Sequence, residues 1–443
     1  MNRQVFTLAL PMLGEQFVNF LVTMVDTWLA GQVSREATAA VGAAGYLGWM
    51  VTLGFTLLAV GSGAVISRSI GAGAHNSANR AFCQAFALAP VVGLIVTATL
   101  FTFADTLALA FTQTPAAHDG FVTYLRLDCL SYALFSIVLV SAAGIRAAGD
   151  TRTPMRVMAL VNIVNALVSA TLVFGWFGAP KLGVTGIAIG TVAARSIGGL
   201  AIAWVAWRGV AGLRLIRADL RIDRPMIRRI LAIGVPAGAD AGVMAVAQMV
   251  FVSVVAHTAA GEAATLSFAA HVIAMRLEAI TYLPAVAWGT AAATLVGQYL
   301  GAGEPRMAHR AGHRAALQCA VLTTLGGLSF FLFARPLYVL MTNDPAVVDI
   351  GVGPFRVLAF FQPILAMGIV YVNALRGAGD TRATFFFSLI AGICLRAPLA
   401  YLFGVTLGGG LIGAWVGMWA DNVIRFILCL TRFIHGGWTR KVV

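Results

Sequence analysis

Three polar residues share one face of the first long apolar stretch: Glu15, Asn19 and Asp26. On a helix, the residues from Glu15 to Asp26 turn the chain about 20° past three full turns, so both acids point the same way. Asn19 lies one turn above Glu15 and close to that face. Ionisable groups are expensive inside a membrane span, so each starts as a functional candidate. Asp26 has no cation one turn away in its own helix. A carboxylate so placed can take and release a proton, or trade that proton for Na⁺. The plainer alternative is a hydrogen bond to a neighbouring helix that serves structure only. Asn162, Asn165 and Ser169, on a later span, are spaced to complete a polar site facing this stripe. Pro11 removes a backbone hydrogen bond well before Asp26 and creates a bend point. Gln16, beside Glu15, joins the candidates for contact with a substrate.

A second set lies in the other half of the chain. Pro236 aligns with Pro11 and Asp240 with Glu15, but Phe251 stands where Asp26 would recur. The halves are therefore not equivalent, and the coupling acid is expected in the first. His271 and Glu278 share a helical face ahead of Pro284, a further candidate hinge, and Glu278 is a candidate cavity acid. Asp421 and Arg425 are spaced i, i+4 and most simply pair with each other. Arg126, Arg195, Arg356 and Arg396 need counter-charges or carbonyls that the sequence does not name.

Other chemistries fail on residue type. The only lysines are Lys181 and Lys441, and neither follows the glycine spacing of a nucleotide phosphate loop. An ion gradient, H⁺ or Na⁺, is the expected driver instead of ATP. His309 and His313 are spaced i, i+4, but no glutamate completes a zinc motif, and Arg310 and Arg314 flank them; a cationic surface is expected there. Cys83, Cys129, Cys319, Cys394 and Cys429 are odd in number and lack C-x-x-C spacing, which suits packing. The expectation is a chain with no catalytic residues, no metal site and no cofactor.

The elements that must hold these residues follow from composition. Of 443 residues, 60% are hydrophobic and only 11% charged, with mean hydropathy +0.88. A soluble domain with that balance would lack polar groups to face water. About twelve apolar runs are long enough as helices to cross the bilayer: 8–30, 39–66, 82–104, 122–143, 156–177, 184–206, 230–256, 265–297, 315–334, 352–374, 384–405 and 411–430. Period-2 alternation, the mark of a barrel, is absent. The opening stretch runs on to about Ala30 without a signal-peptide cleavage pattern, so the first span is expected to be retained.

Charge placement gives orientation. Of the 30 Lys and Arg, only Arg35, Lys181 and Arg335 fall on one side, while six lie within spans. The rest crowd the side that holds both termini, which the positive-inside rule assigns to the cytoplasm. That placement suits membrane lipids and argues against nucleic acid, despite the net charge of +13.

The chain is also duplicated. The segment IRAAGDTR, ending at Arg152, returns as LRGAGDTR, ending at Arg382. Gly71-Ala72-Gly73 returns as Gly301-Ala302-Gly303, and Gly183-x-x-Gly186-x-x-x-Gly190 as Gly410-x-x-Gly413-x-x-x-Gly417. Six spans per half make the two halves parallel repeats. The expected fold is all-α: two pseudo-symmetric six-helix bundles, residues 1–206 and 230–443. An arginine-rich linker, residues 207–229, joins them and is expected to lie on the membrane surface.

The segment EQFVNFLVTMVDTWLAG (15–31) resembles the opening helix of the multidrug and toxic-compound extrusion family. RLEAITYLPAVAWGTAAATLVGQYLGAG (276–303) and the paired R-x-A/G-A-G-D-T segments are similar to the same family, in its bacterial DinF-like branch. The resemblance covers nearly the whole chain. It implies a secondary exporter, working as a monomer in the bacterial inner membrane, expelling small organic, often cationic, compounds in exchange for H⁺ or Na⁺. Asp26 matches the family's first-helix aspartate, whose protonation is thought to bend the helix near the proline matching Pro11. Two positions depart from family patterns: Ser169 stands where several members carry an aspartate, and Met244 where another branch carries a glutamate. Both departures favour H⁺ over Na⁺. A flippase for lipid-linked oligosaccharides, of the same superfamily, is the alternative reading; it requires a cationic cavity.

Overall fold

Apolar runs without β-alternation can satisfy their backbone groups in a bilayer only as helices, and in the computed structural model the described residues are helical apart from short connections and the linker. It describes residues 1–111 and 115–441, with the side chains of Arg35, Glu36, Ala110, Phe111, Ala116 and Ala117 outside the described set. In chain order the helices are α1 (Asn2–Val33), α2 (Arg35–Gly71), α3 (His75–Thr102), α4 (Ala104–Phe111), α5 (Pro115–Cys129), α6 (Tyr132–Ala147), α7 (Arg152–Phe174) and α8 (Val184–Arg208). The second half holds α9 (Arg224–Ala256), α10 (Glu262–Gly301), α11 (Pro305–Met341), α12 (Pro345–Gly377), α13 (Thr381–Ser388), α14 (Ala397–Tyr401) and α15 (Gly410–His435).

Among the described residues eleven stretches are long and apolar enough to span a membrane, and His118–Cys129 of α5 with Tyr132–Ala147 of α6, bent by 56°, make a twelfth when counted as one span. The expected span 122–143 is thus broken at Leu130-Ser131. Ser131 holds the bend by donating from both its backbone N–H and its hydroxyl to the Asp128 carbonyl. Between the expected spans, residues 105–120 contain most of α4 and the start of α5, and residues 343–351 contain the start of α12. The span Thr381–Thr406 is irregular, with π-helical turns at Leu389–Arg396 and Leu402–Thr406 around α14. Leu94, Ile95, Leu167, Val321 and Leu325 are largely exposed, as side chains facing lipid must be.

Packing groups the chain into two compact units: Gly14–Gly234, and Met1–Leu13 with Val235–Val443. In the first, Leu29, Phe55, Phe121, Leu125 and Tyr132 form the core. There α9 begins against α2 through two glycines: a side chain at Gly61 would strike the Ile230 carbonyl, and one at Gly234 the Leu57 carbonyl. In the second, Val5, Ala9 and Met12 of α1 join a core with Trp288, Tyr371 and Phe433. Phe6 stacks edge-on against Trp288, and Tyr299 donates to Gln4. The opening turns of α1 and α9 are thus each counted with the other half's helices. Pro11 and Pro236 lie within three residues of the two points where the chain changes unit. Both helices run through their prolines without a break, as α10 does through Pro284.

The linker between α8 and α9 is a series of turns with one short bridge, Val210 to Leu213. Gln84 of α3 donates to the carbonyls of Asp219 and Arg221 and accepts from the Asp223 N–H. Asn79 accepts from the Arg214 N–H and donates to the Asp219 carboxylate.

Candidate functional site

The polar stripe of α1 meets α5, α7 and α8 within the first unit. Asp26 is half-buried; its Oδ1 is fully buried and has no hydrogen-bond partner. Asn165, Asp128 and Arg195 are the polar groups that act on it. Asn165 Nδ2 donates to the Thr191 hydroxyl at 3.1 Å, while its Oδ1 is also buried without a partner. Asn162 donates to Asn19 Oδ1 at 2.7 Å, tying α7 to the stripe about two turns below Asp26.

Arg195 does not neutralise Asp26 directly. Its Nη1 donates to Asp128 Oδ1 at 2.7 Å and to the Ser131 hydroxyl at 3.2 Å, and its guanidinium lies 4.3 Å from the Phe135 ring centre. The other oxygen of Asp128 accepts from the Tyr132 hydroxyl at 2.7 Å. Sequence reasoning misses Asp128, although a charged residue within an apolar span is the same signal that picks out Asp26. Its placement beside the α5–α6 break is what brings it to Arg195.

Ser169 is buried on the same helix as Asn165, but it faces α8. Its hydroxyl lies 3.4 Å from the Ile187 carbonyl and directly against Gly190, where any side chain would strike it. The packing of α7 on α8 uses the position that an acid occupies in other members of the resembled family.

Glu15, at the lower end of the stripe, is bound up elsewhere. Arg146 Nη1 donates to both its oxygens, at 2.9 and 3.1 Å. In the second unit Arg376 donates to Asp240 at 2.7 Å. Arg146 and Arg376 are the first arginines of IRAAGDTR and LRGAGDTR, and Glu15 and Asp240 are aligned positions. The duplicated motif therefore supplies, in each half, the arginine that pairs with the acid of the opening helix. Counting charges by loop places both arginines with the basic surface; each instead reaches back to a buried carboxylate.

The remaining candidates lie in the second unit. Glu278 accepts from Gln362 at 3.1 Å, and Gln362 in turn accepts from the Thr281 hydroxyl at 2.6 Å. His271 is buried edge-on between Phe251 and Trp415. Asp421 pairs with Arg425 as its spacing predicts, at 3.0 Å, but also with Arg396 at 2.6 Å. Gln16 is half-buried, and its side chain makes no hydrogen bond among the described residues. Among the described residues no cluster of His, Cys, Asp and Glu is arranged to hold a metal ion.

The MatE family profile matches residues 11–171 and 236–402, one stretch in each half. Over its whole length the chain is 29% identical to a probable multidrug resistance protein NorM of Thermotoga maritima, covering 94% of that protein. It is 26% identical to an FAD transporter of Shewanella oneidensis, over 97% of this chain and 93% of that one. A solved multidrug resistance MATE family transporter in an outward-facing conformation superposes with a TM-score of 0.91, covering all of this chain and 97% of its own, at 22% identity. That likeness is one of fold. The two matched stretches, the twelve spans and the full-length relatives lead to one conclusion: the chain belongs to the MatE family of membrane transporters.

Proposed function

We propose that the protein is a secondary active exporter of small organic compounds, often cationic, that moves them by alternating access in exchange for H⁺. It would work in a bacterial inner membrane with both termini in the cytoplasm. The observation that carries the reading is the contrast among the acids within the helices. Glu15, Asp128, Asp240 and Asp421 each hold an arginine within 3.0 Å, whereas Asp26 has none among the described residues; Glu278, the other acid within a span without an arginine, instead accepts from Gln362.

A carboxylate free of a fixed ion pair is the one whose charge can change in a cycle. A proton on Asp26 would give it an O–H to donate, and the buried, unpartnered Asn165 Oδ1 is an acceptor beside it. Adding and removing that proton shifts a two-state equilibrium only through its different interactions in the two states, about 5.5 kcal/mol for a full switch. Pro11, in the same helix, is the expected bend point. Arg195, already held by Asp128, supplies a resident cation near the site, which argues against a need for Na⁺. The arginines paired with these acids are each held by a carboxylate, and only Arg396 and Arg425 share one, leaving a single cation in excess, which weighs against a pyrophosphate-binding flippase.

The test is efflux of a fluorescent organic cation from proteoliposomes under a pH gradient, then under a Na⁺ gradient, for wild type and Asp26→Asn. Efflux driven by pH and lost in the variant is expected. Na⁺-driven efflux would keep the transporter and reassign the ion. If neither gradient moves the probe, or the variant pumps normally, the coupling role of Asp26 fails.

A further inference from the structure

The duplication supplies an internal control for a basic recess at the start of α11. In the first half, Arg80 stands seven residues after Gly73; in the second, Arg310 stands seven after Gly303. Each half also ends in a segment that follows its last helix and folds over this position. In the first half that segment is the linker, and it brings an acid. Asp219 Oδ1 lies 3.8 Å from Arg80, and its Oδ2 accepts from Asn79 at 2.8 Å.

In the second half the segment after α15 brings more positive charge. It reads Gly436-Gly437-Trp438-Thr439-Arg440-Lys441. Trp438 stacks on Phe433, with ring centres 4.7 Å apart, and lies 5.0 Å from the His309 ring. That anchoring leaves a recess of about 660 Å³ lined by Arg306, His309, Arg310, His435, Thr439 and Arg440. No lining residue is acidic. Arg306, Arg310 and Arg440 are exposed, and none has a carboxylate partner among the described residues. The acid that pairs with this tail, Asp380, is already taken by Arg432 at 2.8 Å and Lys441 at 3.5 Å. Glu304 precedes α11 without lining the recess.

We propose that this recess is a binding site for a phosphate group, which fills the place that Asp219 fills in the first half. Guanidinium forks match phosphate oxygens two at a time, and the backbone N–H groups at the start of α11 add a favourable field. The volume falls within the roughly 300–1,000 Å³ of small-ligand pockets, so it admits a phosphate carried on an organic group as well as the bare ion. The recess lies on the face with both termini, where anionic phospholipid headgroups are concentrated if that face is cytoplasmic. An anionic phospholipid and a soluble phosphate ester are the two sources of the group.

The experiment uses the full chain purified in detergent. Short-chain phosphatidylglycerol, phosphatidylcholine and aqueous glycerol phosphate are titrated separately, reading thermal unfolding and, by native mass spectrometry, bound ligand. One variant is Arg306→Gln with Arg310→Gln and Arg440→Gln. A control removes the same charge elsewhere on the basic face: Arg152→Gln, Arg156→Gln and Arg217→Gln. Saturable stabilisation by phosphatidylglycerol, weakened roughly fivefold per arginine in the recess variant and about twofold or less in the control, is expected. Binding of phosphatidylglycerol alone assigns the group to a lipid; binding of glycerol phosphate as well assigns it to soluble esters. Equal weakening in both variants would reduce the effect to diffuse surface charge and overturn the site, as would the absence of saturable binding by wild type.

Discussion

The two halves treat their buried acids differently. Both keep the clamp between the opening helix and the duplicated motif, Glu15 with Arg146 and Asp240 with Arg376. Beyond the clamp they diverge. The first half carries Asp26 with no arginine of its own; the second carries Phe251 at the aligned position, closes Asp421 between Arg396 and Arg425, and ties its own arginine-free acid, Glu278, to Gln362. A buried pair present in both copies answers a need common to both bundles: each holds its opening helix against the turn that precedes α7 or α13. An acid present in one copy only, and left without a cation, answers a need the bundles do not share. Asp26 and Asp421 are therefore opposite cases, one poised to change charge and the other fixed.

The largest effects should separate these two. Asp421→Asn leaves two guanidiniums facing a neutral amide in the interior, and losing one partner of a buried pair costs about 3–5 kcal/mol. The expected outcome is a large fall in unfolding temperature in detergent, with efflux lost only because folded protein is lost. Asp26→Asn should keep the unfolding temperature close to wild type while pH-driven efflux falls to the protein-free background. If Asp26→Asn unfolds the protein as readily as Asp421→Asn, the contrast fails and Asp26 belongs with the structural acids.

Next in size are the clamps. Glu15→Gln and Asp240→Asn should each destabilise by about 3 kcal/mol, and by similar amounts in the two halves. Replacing both members together, Glu15→Gln with Arg146→Gln, should cost less than Glu15→Gln alone, because no uncompensated charge remains. A clamp role predicts this rescue in thermal unfolding. If Glu15→Gln instead leaves stability unchanged and shifts the pH dependence of efflux, Glu15 joins Asp26 in coupling.

The glycine stripes come next. A methyl at Gly190 would meet Ser169, and one at Gly417 would meet the Arg396 carbonyl and the Ala400 N–H, each at 2.5 Å. Gly190→Ala and Gly417→Ala should each cost about 1–3 kcal/mol through overpacking, read as a loss in unfolding temperature. A neutral result at either site would mean that the helix pair can part without penalty.

What could be read beforehand divides along the same line. The spans, the duplication and Asp26 follow from composition, repeat offsets and a charge in an apolar run, all local in sequence. The clamps do not: Glu15 and Arg146 are separated by 131 positions, and nothing local says which arginine turns inward and which faces water. Asp128 carries a legible signal, an acid in a span, but its meaning depends on the break at Leu130-Ser131 that aims it at Arg195. Ser169 illustrates the reverse. Its spacing from Asn165 puts it on a plausible face of α7, yet close packing on Gly190 decides where its hydroxyl goes.

The smallest effect tests whether the linker serves the first half as the tail serves the second. Asp219 joins Asn79 and Arg80 at the surface, where an ion pair of 3.8 Å contributes little and most of the hold comes from the hydrogen bond to Asn79. Asp219→Asn should keep that bond's geometry through its amide oxygen and lower stability by less than about 1 kcal/mol. Gln84→Ala removes three hydrogen bonds to the linker backbone and should cost more, with faster proteolysis between Arg214 and Arg224 as the direct readout. If Asp219→Asn accelerates cleavage as much as Gln84→Ala does, charge and not backbone bonding moors the linker. The acid at this position would then be indispensable in the first half, which would make its absence from the second half, beside Arg310, harder to explain without an outside anion.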